Sequence, residues 1–261
     1  MQRRHVLVLA GAAGAASLGA HAQVTDLNDA INKAGRQRML SQRMGKAWLA
    51  LVHQTESASA QTVLDKSMAL FDRQLTELKA FAPGAEIRDT YTRLEAAWSD
   101  YKATLVGSAP GKAGAPAVLQ ADARVLALAH LGTQQYEATS GKPLGKLVNI
   151  AGRQRMLTQR MAKFYFAATL PVDAATASAE IGKARQEFVT AMELLRNAPE
   201  ATPRIKEELA LADGQWVFFD QALQRLQGGA AAKPLSDVFV TSENLLSVMD
   251  RVTGLYASVK S

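Results

Sequence analysis

The chain has 261 residues, a formal net charge of +6 and no cysteine. A chain of this length can bury a sizeable core, so its stability must come from packing alone, without disulfides. The basic residues are dispersed and aromatic residues make up only 6% of the chain. With no basic stripe and no stacking platform, we expect no nucleic-acid partner.

The first 22 residues are typical of an export signal. The pair Arg3-Arg4 is followed by an apolar, Ala/Gly-rich stretch and then by Ala20-His21-Ala22, which fits a cleavage site. The arginine pair also fits a twin-arginine signal. A retained membrane anchor is the alternative, although the apolar stretch is shorter than the about 20 residues that span a bilayer. We therefore predict a periplasmic protein with a signal peptide over residues 1–22.

The rest of the chain divides into eight apolar-periodic segments. None of them alternates with period two over any length, so we predict an all-α fold. Thr202 followed by Pro203 predicts a helix start, and Asp173 is a candidate cap for another helix. The predicted breaks lie at 56–57, 83–84, 107–116, 140–143, 171–173, 199–203 and 228–234.

One block of sequence occurs twice. Residues 34–46 and 151–163 are identical at eleven of thirteen positions, and the two differences are Ser41/Thr158 and Gly45/Ala162. Duplication explains the shared period. It does not explain why the arginines stay fixed while the flanking sequence changes, since arginine is special where a planar, forked donor is needed.

The repeat extends over the whole chain after residue 22. Further matches are Phe71/Phe188 at an offset of 117, Trp98/Trp216, Tyr101/Phe219 and Leu105/Leu223 at 118, and Thr133/Thr253 and Tyr136/Tyr256 at 120. The unit is therefore four helices, present twice. We predict two tandem four-helix up-down bundles over residues 23–140 and 141–261. The turn at 140–143 allows the bundles to stack end to end or to lie side by side.

The arginines of each block fall on different faces of the predicted helix. At about 100° per residue, Arg36 and Arg43 share a polar side with Lys46, whereas Arg38 projects into an apolar arc about 160° away. Arg155 is the equivalent of Arg38 in the second copy. A solvated or rim face is expected for the remaining arginines, Arg36, Arg43, Arg153 and Arg160.

An unpaired charge in an apolar arc is costly, so Arg38 and Arg155 need partners. One interpretation pairs each with a carboxylate of a neighbouring helix. Another lets the side chains reach the edge of the bundle. A third places each arginine at a helix–helix interface that holds a small anion or polar solute, whose binding would couple to helix geometry. The candidate carboxylates are Glu95, Asp100, Asp122 and Asp213.

Gly35 and Gly152 lie one helical turn before these arginines. Glycine in the middle of a helix costs up to about 1 kcal/mol relative to alanine. Keeping it in both copies indicates the close approach of a ligand or of a second helix.

No motif of an enzyme or of a metal site is present. Met39 and Met44 project about 140° apart, so we expect them to fill the core rather than to bind copper. His53 and His130 are isolated, and neither belongs to a Glu-x-x-His pair. No nucleophile elbow, P-loop or dinucleotide-binding glycine pattern occurs. We predict no cofactor, no metal and no catalysis.

The segment from Ile31 to Met44, INKAGRQRMLSQRM, resembles the first helix of the periplasmic sensor module in pilus-linked methyl-accepting chemotaxis transducers of the PilJ type. It is more distantly similar to nitrate/nitrite sensor kinases of the NarX type. The resemblance implies a four-helix bundle and signalling by helix displacement.

The nitrate sensors carry a Gly-x-x-Arg-Met-x-Ser-x-Arg pattern whose first arginine binds the anion at a dimer interface. This resemblance implies that the ligand-binding residues are Gly35, Arg38, Arg43, Gly152, Arg155 and Arg160. The chain departs from that pattern at Arg36-Gln37 and Arg153-Gln154, where the nitrate sensors have a smaller, uncharged pair, and at Thr158, which replaces serine.

Together these features predict a periplasmic sensory protein that holds a small anion or polar solute, with nitrate and nitrite as candidates. No second membrane helix and no signalling coiled coil follow the last predicted helix, so we expect a membrane-bound signalling partner. A homodimer is compatible with the sequence. The alternative is a non-catalytic helical interaction or adaptor protein of the cell envelope that has no small-molecule ligand.

Overall fold

The computed structural model describes residues 23–170, 174–228 and 232–260. These residues form eight α-helices and two short 3-10 turns, with no strand among them. The helices are α1 (Leu27–Val52), α2 (Ser57–Phe81), α3 (Ala85–Val106), α4 (Ala115–Ser140), α5 (Pro143–Ala168), α6 (Ala174–Asn197), α7 (Pro203–Gln224) and α8 (Ala232–Ser258). The predicted all-α fold of two tandem four-helix bundles is confirmed. The proposed export signal and the proposed cap Asp173 lie outside the described residues.

Local sequence explains several helix ends. The Thr202 hydroxyl accepts a hydrogen bond from the backbone N–H of Ile205 at 3.3 Å, and Pro203 begins α7, as predicted. Helix α4 ends at Ser140 because Gly141 adopts a left-handed conformation with φ of 59°, which glycine accepts without a Cβ clash.

The helices that carry the repeated block, α1 and α5, lie at the centre of the molecule. They run parallel and pack against each other, and the His53 ring near the end of α1 lies 3.1 Å from the carbonyl oxygen of Phe166 near the end of α5. Helices α2 and α4 flank α1, while α6 and α8 flank α5. The outer helices α3 and α7 pack on α4 and α8. The bundles therefore lie side by side, the second of the two arrangements that the sequence allowed.

Equivalent residues build the same core in both units. The ring pairs are Phe71–Trp98, with centroids 4.3 Å apart, and Phe188–Trp216, at 4.5 Å. The Tyr136 hydroxyl donates to the Leu78 carbonyl at 2.8 Å, and the Tyr256 hydroxyl donates to the Leu195 carbonyl at 2.7 Å. The methionines of both blocks are buried in the core, as expected for Met39 and Met44. The offsets read from the sequence therefore identify structurally equivalent positions.

Candidate functional site

Helices α1 and α5 come into close contact at Gly35 and Gly152. A Cβ built on Gly35 would lie 3.8 Å from the Gly152 Cα, 3.1 Å from Nη2 of Arg38 and 3.6 Å from Nη2 of Arg155. A Cβ built on Gly152 would lie 3.8 Å and 3.2 Å from the same two nitrogens. The two glycines thus make room for both guanidinium groups at a single point between the units.

Arg155 is fully buried and is paired with a carboxylate. Its Nη1 donates to Oδ1 of Asp250 in α8 at 2.5 Å, and its Nη2 donates to the backbone carbonyl of Asn32 in α1 at 3.0 Å. Asp250 also accepts from Arg36 at 2.8 Å. Burial raises the pKa of the Asp250 carboxyl, but Arg155 and Arg36 outweigh burial and bring that pKa to about 2.

Arg38 is equally buried, but within the described residues it hydrogen-bonds only to neutral groups. Its Nη2 donates to the side-chain and backbone oxygens of Asn149 in α5 at 2.7 and 3.3 Å, and its Nη1 lies 3.2 Å from Nδ1 of His130 in α4. Because guanidinium has no acceptor, Nδ1 must be the unprotonated acceptor. His130 stands where the second unit has Asp250, at the offset of 120.

Charge at this point is costly to bury. Burial is the main cause that lowers the pKa of Arg38 to about 9, and the nearby Arg153 and Arg155 lower it further. Burial also lowers the pKa of Arg155 to about 10, against the opposing effect of Asp250. Burial, together with Arg38 and Arg153, lowers the pKa of His130 to about 4, so its imidazole is neutral at pH 7.

The prediction that Glu95, Asp100, Asp122 or Asp213 pairs with Arg38 or Arg155 was wrong. Glu95 pairs with Lys79, Asp122 pairs with Lys163, Asp213 pairs with Arg196, and Asp100 is exposed. The error arises because the axial offset between two packed helices depends on loop geometry. Periodicity within a single helix does not contain that information.

The rim arginines lie where the helical wheel placed them. Their side chains are between 20 and 32% exposed, and each pairs with a carboxylate. Among them, Arg43 pairs with Glu243 and Arg160 with Glu180, and neither hydrogen-bonds to a group at the α1–α5 contact. Of the six proposed ligand-binding residues, the structure therefore brings together only Gly35, Arg38, Gly152 and Arg155.

Sequence reasoning missed two buried lysines. Lys46 was placed on the polar side of α1, yet it is fully buried and donates to Ser242 at 2.9 Å and to Glu243 at 2.6 Å, both in α8. Its equivalent Lys163 pairs with the buried Asp122 of α4. Burial lowers the pKa of both lysines, that of Lys46 to about 8. On the polar side of each central helix, the lysine is covered by a helix of the other unit. The offset of 120 aligns Asp122 with Ser242, and these equivalent positions are the ones that contact Lys163 and Lys46. That alignment was the signal in the sequence that could have indicated the two contacts.

Within the part of the chain that the structure describes, no group of three His, Cys, Asp or Glu side chains could hold a metal ion. None of the helices in these residues combines the length and the hydropathy of a membrane-spanning segment. The family profile described as type IV pili methyl-accepting chemotaxis transducer N-term matches residues 20–125 and 138–238. The chain belongs to this PilJ family. Each match contains one copy of the repeated block, so the predicted relationship to PilJ-type modules is confirmed.

The PilJ assignment gives the chain a place among signalling proteins. PilJ N-terminal domains are non-catalytic sensory modules of chemotaxis transducers and are typically extracytoplasmic. No curated protein and no solved structure matches the chain. The more distant similarity to NarX-type sensors is not shown by these comparisons.

Proposed function

We propose that this PilJ protein is a periplasmic sensor that holds a small anion or polar solute at the contact between α1 and α5. The observation that carries this proposal is the meeting of two fully buried guanidinium groups across two glycines. Only Arg155 has a carboxylate of its own, whereas Arg38 relies on neutral partners. A negative ligand here would relieve the repulsion between the two cations.

The hydrogen-bonding capacity of this point also supports a ligand. The Nε atoms of Arg38 and Arg155 are buried and have no hydrogen-bond partner within the described residues. Buried donors without partners destabilise a fold, so their retention in both copies favours a role outside folding. A solute with acceptor atoms would satisfy them.

Binding at this point would be read out as a change in helix packing. Arg38 belongs to one unit and donates to Asn149 of the other, while Arg155 donates in the opposite direction to Asn32. A ligand that competes for either arginine loosens one of these bonds and shifts the position of α1 against α5. A membrane-bound signalling partner, as in the transducers of this family, would then detect the shift. The export signal over residues 1–22 supports a periplasmic location.

Nitrate and nitrite are candidate ligands because Gly35, Arg38 and Arg43 match the pattern of the NarX-type sensors. Thermal unfolding in the presence of nitrate, nitrite, other small anions and amino acids tests the proposal. We expect at least one ligand to raise the melting temperature, since binding to the folded state stabilises it. The absence of a shift with every member of the panel would contradict the proposal.

The variant Arg38→Ala/Arg155→Ala should lose this ligand-dependent shift. The matched control is Arg185→Ala/Arg196→Ala, which removes two arginines from exposed ion pairs on α6 and should keep the shift. If the double variant fails to fold, Arg38→Lys retains the charge but loses the forked donor and should weaken the shift. A full shift in Arg38→Lys would argue against recognition by the guanidinium.

One observation favours the alternative of an interaction protein without a small ligand. Leu211 and Phe218 lie two turns apart on α7 and are 56% and 60% exposed, which is unusual for large apolar side chains on one face. Light scattering on the wild type and on Leu211→Ser/Phe218→Ser would show whether this face supports self-association. A monomer in both cases would remove this support.

A further inference from the structure

The two units differ where each central helix faces a flanking helix of the other unit, which is α8 for α1 and α4 for α5. Arg36 of α1 pairs with Asp250 of α8, and Arg43 of α1 pairs with Glu243 of α8. Lys46 also reaches Glu243. In this groove, called here the filled groove, two carboxylates seven residues apart on α8 neutralise the cations of α1.

The equivalent groove lies between α4, α5 and α6. At the offset of 120, Ala123 replaces Glu243 and His130 replaces Asp250, so α4 supplies no carboxylate at either position. A cavity of about 310 Å³ lies here, and its lining includes Ala123 and His130 of α4 and Arg153 and Arg160 of α5. That volume is within the range of small-molecule sites. We call it the open groove.

The arginines of the open groove pair with carboxylates of α6 rather than with α4. Arg153 donates through Nε and Nη2 to Glu187 of α6, and Arg160 donates through the same two atoms to Glu180. In neither arginine does Nη1 form a hydrogen bond within the described residues. Each guanidinium lines the cavity and therefore keeps one donor group that no described residue engages.

A third substitution opens the groove further. In the filled groove, Nη1 of Arg43 donates to the hydroxyl of Ser67 at 3.3 Å. The equivalent of Ser67 at the offset of 117 is Ala184, which lines the open groove. Three positions that supply oxygen acceptors to the rim arginines of the filled groove therefore supply none to Arg153 and Arg160.

We infer that the open groove binds a small organic dicarboxylate, whose two carboxylates take the places that Asp250 and Glu243 occupy in the filled groove. The inference rests on the proposed sensory function and adds to it a second ligand site, beside the contact of Arg38 and Arg155, together with its ligand class. Arg153, Arg160 and Lys183 face the cavity with Glu180 and Glu187, so the lining retains an excess of positive charge.

The spacing of the two carboxylates in the filled groove indicates the length of the ligand. Asp250 and Glu243 are seven residues apart on one helix, so their Cα atoms are separated by about 10.5 Å along the helix axis. A long, flexible dicarboxylate such as suberate can reach both points, whereas succinate reaches one. Suberate is therefore the probe, and succinate is the length control.

The experiment is isothermal titration of the protein with suberate and succinate. We expect suberate to bind at least tenfold more tightly than succinate. Ala123→Glu/His130→Asp copies the filled groove into the open one, and its internal carboxylates should abolish suberate binding. Arg124→Glu changes the charge of the same helix by the same amount at an exposed, neighbouring position outside the lining and should retain binding.

Each outcome is decisive. If the double variant fails to fold, Ala123→Glu alone places a carboxylate in the groove from an exposed position and should still weaken suberate binding at least tenfold. No suberate binding by the wild type, or full binding by Ala123→Glu, overturns the inference. The absence of suberate binding, together with a nitrate shift that survives Ala123→Glu but disappears in Arg38→Ala/Arg155→Ala, overturns the inference alone and leaves the proposed function standing. The absence of any ligand effect overturns both.

Discussion

Arg38 and Arg155 are arginines at equivalent positions of the two units, yet one neighbouring side chain gives them different electrostatic environments. Asp250 gives Arg155 a full negative charge, while His130 gives Arg38 only a lone pair. Burial lowers the pKa of Arg38 to about 9 and that of Arg155 to about 10. The first arginine is therefore the cation for which the fold provides less compensation, and it is the one we expect to respond to an added anion.

Mild acid should destabilise the protein through His130. The unfolded imidazole titrates near 6.5, whereas burial, Arg38 and Arg153 lower the folded pKa to about 4, against the opposing effect of Glu187. Between these values the unfolded state binds the proton first, so stability falls as pH falls. The contribution of neutral His130 is complete above pH 6.5 and is lost as pH decreases to 4.

Urea unfolding at a series of pH values measures this effect. His130→Asn keeps an acceptor for Arg38 but has no titrating ring, so its stability should change less than that of the wild type between pH 6.5 and 4. Below pH 4 both proteins should lose the same amount of unfolding free energy, because Glu243 and Asp250 are protonated in the folded state only as pH approaches about 2. Parallel pH profiles over the whole range would contradict this assignment.

Breaking the buried pair of Lys163 and Asp122 should be severe. Both side chains are almost completely removed from solvent, so Lys163→Met leaves a buried carboxylate without its cation and should cost about 3–5 kcal/mol of unfolding free energy. Asp122→Leu/Lys163→Met should recover most of that loss, because neither charge remains. Lys79→Met, which breaks an exposed pair with Glu95, should cost less than about 1 kcal/mol in the same denaturant titration.

Helices α1 and α5 show how far sequence reasoning reaches at the scale of the element. Hydrophobic periodicity and punctuation predicted all eight helices, and the glycines of the repeated block indicated the close approach of a ligand or of a second helix, of which the structure shows the helix. The burial of Lys46 was missed because a helical wheel separates apolar from polar faces without showing what covers a polar face. His130 was set aside because its role depends on its height on α4 beside α1, which loops determine.

The glycines at the contact should resist substitution by alanine. A Cβ at position 35 would stand 3.1 Å from Nη2 of Arg38 and 3.6 Å from Nη2 of Arg155, and both side chains are held by hydrogen bonds in a packed interior. Gly35→Ala should therefore lower the unfolding free energy by about 1–3 kcal/mol. Gly152→Ala should behave in the same way.

Gly182 provides the matched control for this substitution. It lies in the middle of α6, and a Cβ there would meet nothing within 4 Å. Gly182→Ala should raise the unfolding free energy by up to about 1 kcal/mol through helix propensity alone. Stabilisation of Gly35→Ala by the same amount would show that the guanidinium groups move aside easily.

At the scale of the whole molecule, buried polar contacts join the two units. Lys46 of the first unit reaches Glu243 of the second, and Lys163 of the second reaches Asp122 of the first. The arginine bonds to Asn149 and Asn32 cross the same boundary. The bundles therefore share one interior, and we expect them to unfold in a single cooperative transition.

Residues 23–140 alone should not form a stable monomer. Separation from the second unit exposes the apolar and charged face of α1 that packs on α5. Because α5 carries nearly the same block, a second copy of α1 can replace it across a two-fold axis. Light scattering on this fragment should show a dimer, whereas a folded monomer at micromolar concentration would indicate that the unit is independent.

The fusion of both units into one polypeptide has a further consequence. An assembly of two identical chains must carry every substitution on both sides of its axis, so its two clefts remain alike. Here Ala123 and Glu243 could diverge separately, and α8 supplies carboxylates to the central helix of the other unit at positions where α4 supplies none. Occupation of a single cleft would push the central helices unequally, which gives the response a direction that a symmetric dimer with both clefts occupied lacks.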